Sequence, residues 1–205
     1  MTDYKFLCEA LKGFIEADPS YIPVLSNASA LLFDALADLN WAGFYIARDA
    51  KGGAADVCPA GTARELVVGP FQGKPACIII PFGKGVCGTA AVKDELQLVP
   101  DVHKFPGHIA CDSASNSEIV IPIHSAVPAA DGLARLEVAA VLDIDSQLFE
   151  RFSQSDADGL QATKPDEQLD EGCKLVLRGK GKAVLKEAGG RTRKDRIGVV
   201  WEKYL

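Results

Sequence analysis

Apolar residues recur at helical spacing at the start of the chain. Tyr4, Leu7, Cys8, Leu11, Phe14 and Ile15 predict a helix over 4–17, with Cys8 packed on its buried face. Asp18-Pro19 then reads as a cap and first turn, predicting a second helix to about Asp38 that buries Ile22, Leu25, Leu32 and Leu36. The period next shortens to two. Trp41–Ile46 is rich in strong β-formers and predicts a strand. Short strands follow at 66–68 and 78–80, divided by a turn over Pro70–Pro75. Gly83–Gly88 predicts a turn feeding a helix near Thr89. Residues 97–99, 119–123 and 138–144 predict further strands, and Ser153 a cap for a last core helix. Two helices, a mostly antiparallel set of strands, one helix inserted and one after it indicate an α+β domain.

Two stretches do not fit either period. Residues 49–63 form a Gly/Ala/Asp-rich loop carrying Cys58. The last 42 residues, 164–205, hold 11 Lys/Arg against 7 Asp/Glu, whereas residues 1–163 hold 11 against 21. We read 1–163 as the folded domain and 164–205 as a loosely structured basic extension, with a terminal helix or hairpin as the alternative.

The chain has 205 residues, a length for one decorated domain, and its net charge of −6 argues against nucleic acid as a partner. No apolar run approaches the roughly 20 residues of a membrane span. The first residues lack the pattern of a signal peptide, so a cytoplasmic protein with reduced thiols is expected. That expectation outweighs the disulfide framework that six cysteines would otherwise suggest.

Three cysteines stand apart from the rest. Cys77, Cys87 and Cys111 lie in glycine- and proline-punctuated turns, where a thiol is presented to a pocket more readily than to a core. Cys87 sits where a Gly-rich turn enters a helix, and a helix N-terminus lowers a thiol's pKa, which makes Cys87 a candidate attacker. With His103 or His108 the three could also complete a zinc site, although their spacing lacks close C-x-x-C pairs. Both histidines otherwise serve as hydrogen-bonding groups that order their loops. Asp143 and Asp145 are two apart on a strand, so they share one face. Such a pair, buried, requires a cation between its members or a proton on one of them.

The blocks N-W-A-G-F-Y (40–45), G-P-F-Q-G-K-P-A-C (69–77), G-V-C-G-T-A (85–90), F-P-G-H-I-A-C-D (105–112), S-E-I-V (117–120) and L-D-I-D-S (142–146) occur in one order. In this the chain resembles the free methionine-(R)-sulfoxide reductases, a GAF-domain family, from about residue 40 to residue 156. The resemblance implies a six-stranded antiparallel sheet with helices packed on it and a small pocket. It implies Cys111 as nucleophile, Cys77 as its resolving partner and Cys87 as a further redox thiol. It adds Glu118 to Asp143 and Asp145 as pocket acids, and Trp41 and Tyr45 as an aromatic wall for the methyl end of the substrate. It further implies reduction of the free amino acid through a sulfenic acid and a disulfide. Thioredoxin would be the reductant, a homodimer the assembly, and neither metal nor organic cofactor would be needed. A non-catalytic GAF module that binds a small ligand is the alternative. Two segments depart from the family pattern: 125–136, an insertion in a hairpin, and the extension beyond 163.

Overall fold

The computed structural model describes residues 2–18, 20–50, 64–128, 134–161, 173–178 and 182–187. Helix α1 (Tyr4–Ala17) forms as its apolar stripe predicts, with the Asp3 carboxylate accepting from the Phe6 N–H as an N-cap. Helix α2 (Tyr21–Ala35) is shorter than expected at both ends. Asp18 does not cap it; its carboxylate accepts instead from the N–H of Ser20, which holds the N-cap position. Val24, Leu25, Ala28 and Leu32 are buried along it as a helical stripe, and Leu36 just beyond it, whereas Ile22 points outward at 56% exposure. Asp38, in the left-handed region at φ 62°, ends the connection and turns the chain into the sheet.

Strands β1 (Leu39–Asp49), β2 (Arg64–Gly73) and β3 (Ile79–Pro81) are followed by helix α3 (Gly85–Lys93) and β4 (Gln97–Val99). Strands β5 (Ser117–Pro128) and β6 (Ala134–Ser146) form a long hairpin, and helix α4 (Gln154–Gln161) follows. Of the predicted insertion at 125–136, residues 125–128 and 134–136 extend the two strands. The sheet is antiparallel with strand order β3-β2-β1-β6-β5-β4. Two expectations are corrected. Residues 70–73 continue β2 rather than turning, because 71–73 pair with 41–43 beyond a bulge opposite Phe44. Helix α3 begins at Gly85, so Cys87 lies inside its first turn and not ahead of it.

The sheet has two faces with different cover. Ala42, Phe44, Ile119, Ile121, Leu142 and Ile144 face α1, α2 and α4 and make the larger apolar core. Alternate residues of the same strands, Trp41, Tyr45, Val120 and Val141, face α3. Helix α4 is closed by a reciprocal cap: Ser153 N–H donates to Asp156 at 2.8 Å and Asp156 N–H donates to the Ser153 hydroxyl at 3.3 Å. In the extension, β7 (Cys173–Arg178) and β8 (Lys182–Glu187) pair as a separate antiparallel hairpin. Residue Cys58 lies outside the described residues. Among the described residues, no helix is long and apolar enough to cross a membrane.

Candidate active site

The face beneath α3 carries the polar residues. Period-two alternation on β6 puts Asp143 and Asp145 on this face with Val141, while Leu142 and Ile144 go to the core. Register completes the cluster: Glu118 on β5 is the cross-strand partner of Asp145, and Trp41 on β1 flanks Asp145 from the other side. Gly43 pairs with Asp143, and a side chain there would collide with Phe71 and come within 2.7 Å of the Trp41 ring. Gly43 therefore lets β2 and the indole close up beside the acids.

Helix α3 lays Cys87 onto these carboxyls. The Cys87 thiol donates to Glu118 Oε1 at 3.8 Å, and Cys87, Glu118 and Asp143 have donor atoms within 4.8 Å of one another. All three are buried. Burial, with Asp143 and Glu118 nearby, pushes the Cys87 thiol well above its ordinary pKa. This corrects the expectation that the helix N-terminus would activate it: a half-charge at the helix end is outweighed by loss of solvent and by facing acids. Burial likewise raises Glu118 and Asp145, each further raised by the charge of Asp143. Burial raises Asp143 to about 6, with hydrogen bonds from Cys87 and Glu118 working against the rise. Burial thus biases all three carboxyls and the Cys87 thiol toward their protonated forms. Asp143 Oδ1 is buried without a hydrogen-bond partner among the described residues.

Cys77 and Cys111 meet over this cluster in a disulfide, 34 positions apart with Cα atoms 5.4 Å apart. Cys77 comes from the segment between β2 and β3, and Cys111 from the long segment between β4 and β5. The Asp112 carboxylate accepts from the Ala114 N–H at 3.0 Å, a local turn that presents Cys111 inward. The pocket is lined by Ile80, Gly85, Val86, Cys87, His108, Ile109, Cys111, Asp112, Ser115, Glu118, Asp143 and Asp145.

The structure therefore brings together Cys111, Cys87, Glu118, Asp143 and Asp145, with Cys77 bonded behind Cys111. Trp41 and Tyr45 lie on the expected face but one layer behind the lining, where Trp41 stacks on Tyr45 at 5.7 Å and on Phe71 at 5.2 Å. Its Nε1 has no partner among the described residues. His103 is outside the pocket, bonded to Asn116 at 2.9 Å. His108 lines the pocket, and partial burial, with His103 nearby, lowers its pKa. The three-cysteine zinc arrangement does not form, because two of its sulfurs are joined to each other. A divalent ion would find Cys87, Glu118 and Asp143 instead, a set that an organic cation neutralises equally well. Sequence reasoning missed Ser115, which bonds Asp145, and the apolar lining of Ile80, Val86 and Ile109. Ile109 sits inside the F-P-G-H-I-A-C-D block and was legible there; Ile80 required the fold.

A sheet of this topology with thiols and acids converging beneath an inserted helix defines a GAF domain of the thiol-bearing type, and comparison with known proteins agrees. No family model matches the chain. Over 158 residues it is 43% identical to the free methionine-R-sulfoxide reductase of Escherichia coli, covering 77% of this chain and 82% of that one. It is 44% identical over 154 residues to the yeast protein of the same name, covering 73% and 75%. Among solved structures, fRMsr of Staphylococcus aureus in complex with substrate superposes with a TM-score of 0.62 at 42% identity, over 79% of this chain and 91% of that one. The chain belongs to the free methionine-R-sulfoxide reductase family of oxidoreductases.

Proposed function

We propose that this protein reduces free L-methionine-(R)-sulfoxide to methionine with Cys111 as the nucleophile. The observation that carries the reading is one pocket that contains Cys111, already bonded to Cys77, together with three buried acids and an unpartnered Asp143 oxygen. The names of the relatives support the substrate and its epimer.

The residues divide the work. Asp143, with its unpartnered Oδ1, receives the substrate's ammonium, with Glu118 and Asp145 beside it. This neutralises a buried carboxylate that, among the described residues, has no salt-bridge partner. The S-methyl end lies on the apolar lining, backed by the Trp41 and Tyr45 rings. Cys111 attacks the sulfoxide sulfur. A protonated acid of the cluster delivers the proton the departing oxygen needs. The oxygen passes to Cys111, methionine leaves as the thioether, and Cys111 remains a sulfenic acid. The Cys77 thiol then attacks the Cys111 sulfur, the S–O bond breaks, and water departs with the thiol's proton. An external dithiol of the thioredoxin kind regenerates both thiols by exchange, leaving as its own disulfide. Cys87 stays protonated and orients Glu118.

The test is direct. Reduced protein is incubated with free methionine-(R)-sulfoxide and dithiothreitol, and methionine is quantified. Production no faster than in buffer would overturn the reading and leave a ligand-binding GAF module in its place.

A further inference from the structure

The loops that carry the bridged cysteines start from opposite edges of the sheet, one beside β3 and the other beside β4. A second connection, made without covalent chemistry, runs alongside the disulfide. Lys74, three residues before Cys77, reaches Asp112, the neighbour of Cys111, with Nζ 3.3 Å from Oδ2. Asp112 is itself anchored. Oδ1 accepts from the Ala114 N–H at 3.0 Å, and Oδ2 accepts from the Asn40 side-chain amide at 3.2 Å. Asn40 is buried at the start of β1, and its amide also donates to Ser115 at 2.9 Å. The Ala114 N–H, then Asn40 and Lys74, hold the Asp112 carboxyl below its ordinary pKa, so it keeps its charge across the working range.

We propose that Lys74 and Asp112, anchored on β1 through Asn40, form a clamp that keeps the Cys77 loop beside Cys111 when the disulfide is open. Lys74 and Asp112 are then positioning residues for the resolving step, a role that rests on the Cys77–Cys111 pair being the redox couple. Closing the disulfide expels water from the Cys111 sulfenic acid as Cys77 attacks, and its rate follows the fraction of time the two sulfurs are apposed. In the oxidised protein the covalent bond keeps the loops apposed and the clamp is fully formed, whereas in the reduced protein it forms only while the loops are together. In the reduced protein nothing else described crosses directly from 74–77 to 111–112. The clamp therefore favours the disulfide over the open dithiol. Lys74 is 67% exposed at its side chain, so the effect is modest and sensitive to salt.

The equilibrium of the Cys77–Cys111 disulfide against dithiothreitol, read by alkylation and mass spectrometry of the whole protein, tests this without using activity. Lys74→Ala and Asp112→Asn are each expected to weaken the disulfide by about threefold to tenfold, where tenfold corresponds to about 30 mV for a two-electron couple. Lys74→Arg should restore the wild-type constant, and the double variant should be no weaker than either single one. Salt near 1 M should bring the wild type toward the Lys74→Ala value. An unchanged constant in Lys74→Ala, or losses that simply add in the double variant, would overturn the clamp. Failure of wild-type Cys77 and Cys111 to form a disulfide at all would instead overturn the functional reading, and the clamp with it.

Discussion

The Cys87 thiol donates a hydrogen bond to Glu118, Sγ to Oε1 3.8 Å, across 31 positions of sequence. This pairing places the thiol in a dry, acid-lined site, where its anion would be destabilised twice over. A thiol in such a setting has a smaller thiolate fraction and is correspondingly less nucleophilic. Cys111 has a different environment: it lies at the pocket mouth, beside Asp112 and in covalent contact with Cys77.

The thiols should therefore separate cleanly in alkylation. After reduction at pH 7, Cys111 is expected to react with iodoacetamide at least about tenfold faster than Cys87, which should become reactive only on unfolding. In single turnover, Cys111→Ser should release no methionine, while Cys77→Ser should release one equivalent and then stall. Retention of the burst in Cys111→Ser and its loss in Cys87→Ser, measured by quench flow, would reverse the assignment.

The buried acids set a pH dependence of stability in the empty protein. Asp143 has its pKa raised to about 6, and Glu118 and Asp145 are raised in the same direction. A carboxyl with a raised folded-state pKa binds its proton more tightly when folded. Its contribution is thus complete at low pH, below the unfolded pKa, and is lost as pH rises through 6 and beyond. For Asp143 the loss amounts to about 3 kcal/mol, at about 1.4 kcal/mol per pKa unit. The melting temperature without ligand should fall between about pH 4 and 6.5, the interval from the unfolded Asp143 pKa to just past its folded one. Asp143→Asn should flatten this slope and raise the neutral-pH melting temperature while impairing activity. A wild-type melting temperature independent of pH over that interval would contradict the buried charge.

Recognition of a free ammonium predicts discrimination by charge. N-acetylation of the substrate removes the cation and would leave Asp143 buried and unpaired, at a cost on the order of several kcal/mol. N-acetyl-methionine sulfoxide should thus be at least about a hundredfold poorer in kcat/KM, since 1.4 kcal/mol is already about tenfold. Glu118→Gln and Asp143→Asn should each lower kcat/KM by about tenfold or more. Equal rates on the acetylated and free substrates would refute this use of the acids.

Gly43 is a structural requirement of the same site. Alanine there meets the Phe71 side chain and the Trp41 ring, so β1 and β2 would have to part. Gly43→Ala is expected to destabilise the fold by about 1–3 kcal/mol through overpacking and to raise KM by displacing the indole behind Asp145. Denaturant unfolding with parallel kinetics checks both effects. A variant as stable as the wild type would show that the bulge yields without cost.

The extension carries a fifth expectation. A protein ending near Thr163 retains every residue that lines the pocket and should keep both a cooperative melt and its activity. Loss of the cooperative transition on truncation would place the β7–β8 hairpin in the domain's core.

Much of this protein was legible from local pattern. Helical spacing over 4–17 and the period of two at Val141-Leu142-Asp143-Ile144-Asp145 depend only on neighbours a few residues apart, so α1 and the shared face of the two acids follow from the chain directly. The ordered motif blocks likewise named the thiols and acids that the fold gathers. Other features depended on partners distant in sequence. Pro70–Gly73 reads as a turn by composition, yet becomes strand because 41–43 supply a ladder for it. Ile22 satisfies the apolar pattern of α2 but lies on the side that the sheet does not cover. Cys87 makes the clearest case. Its local setting, the first turn of a helix, argues for a reactive thiolate, and only the tertiary structure supplies Glu118 and Asp143 and removes water. Desolvation and charge repulsion act through space, and here they decide the chemistry against the helix dipole.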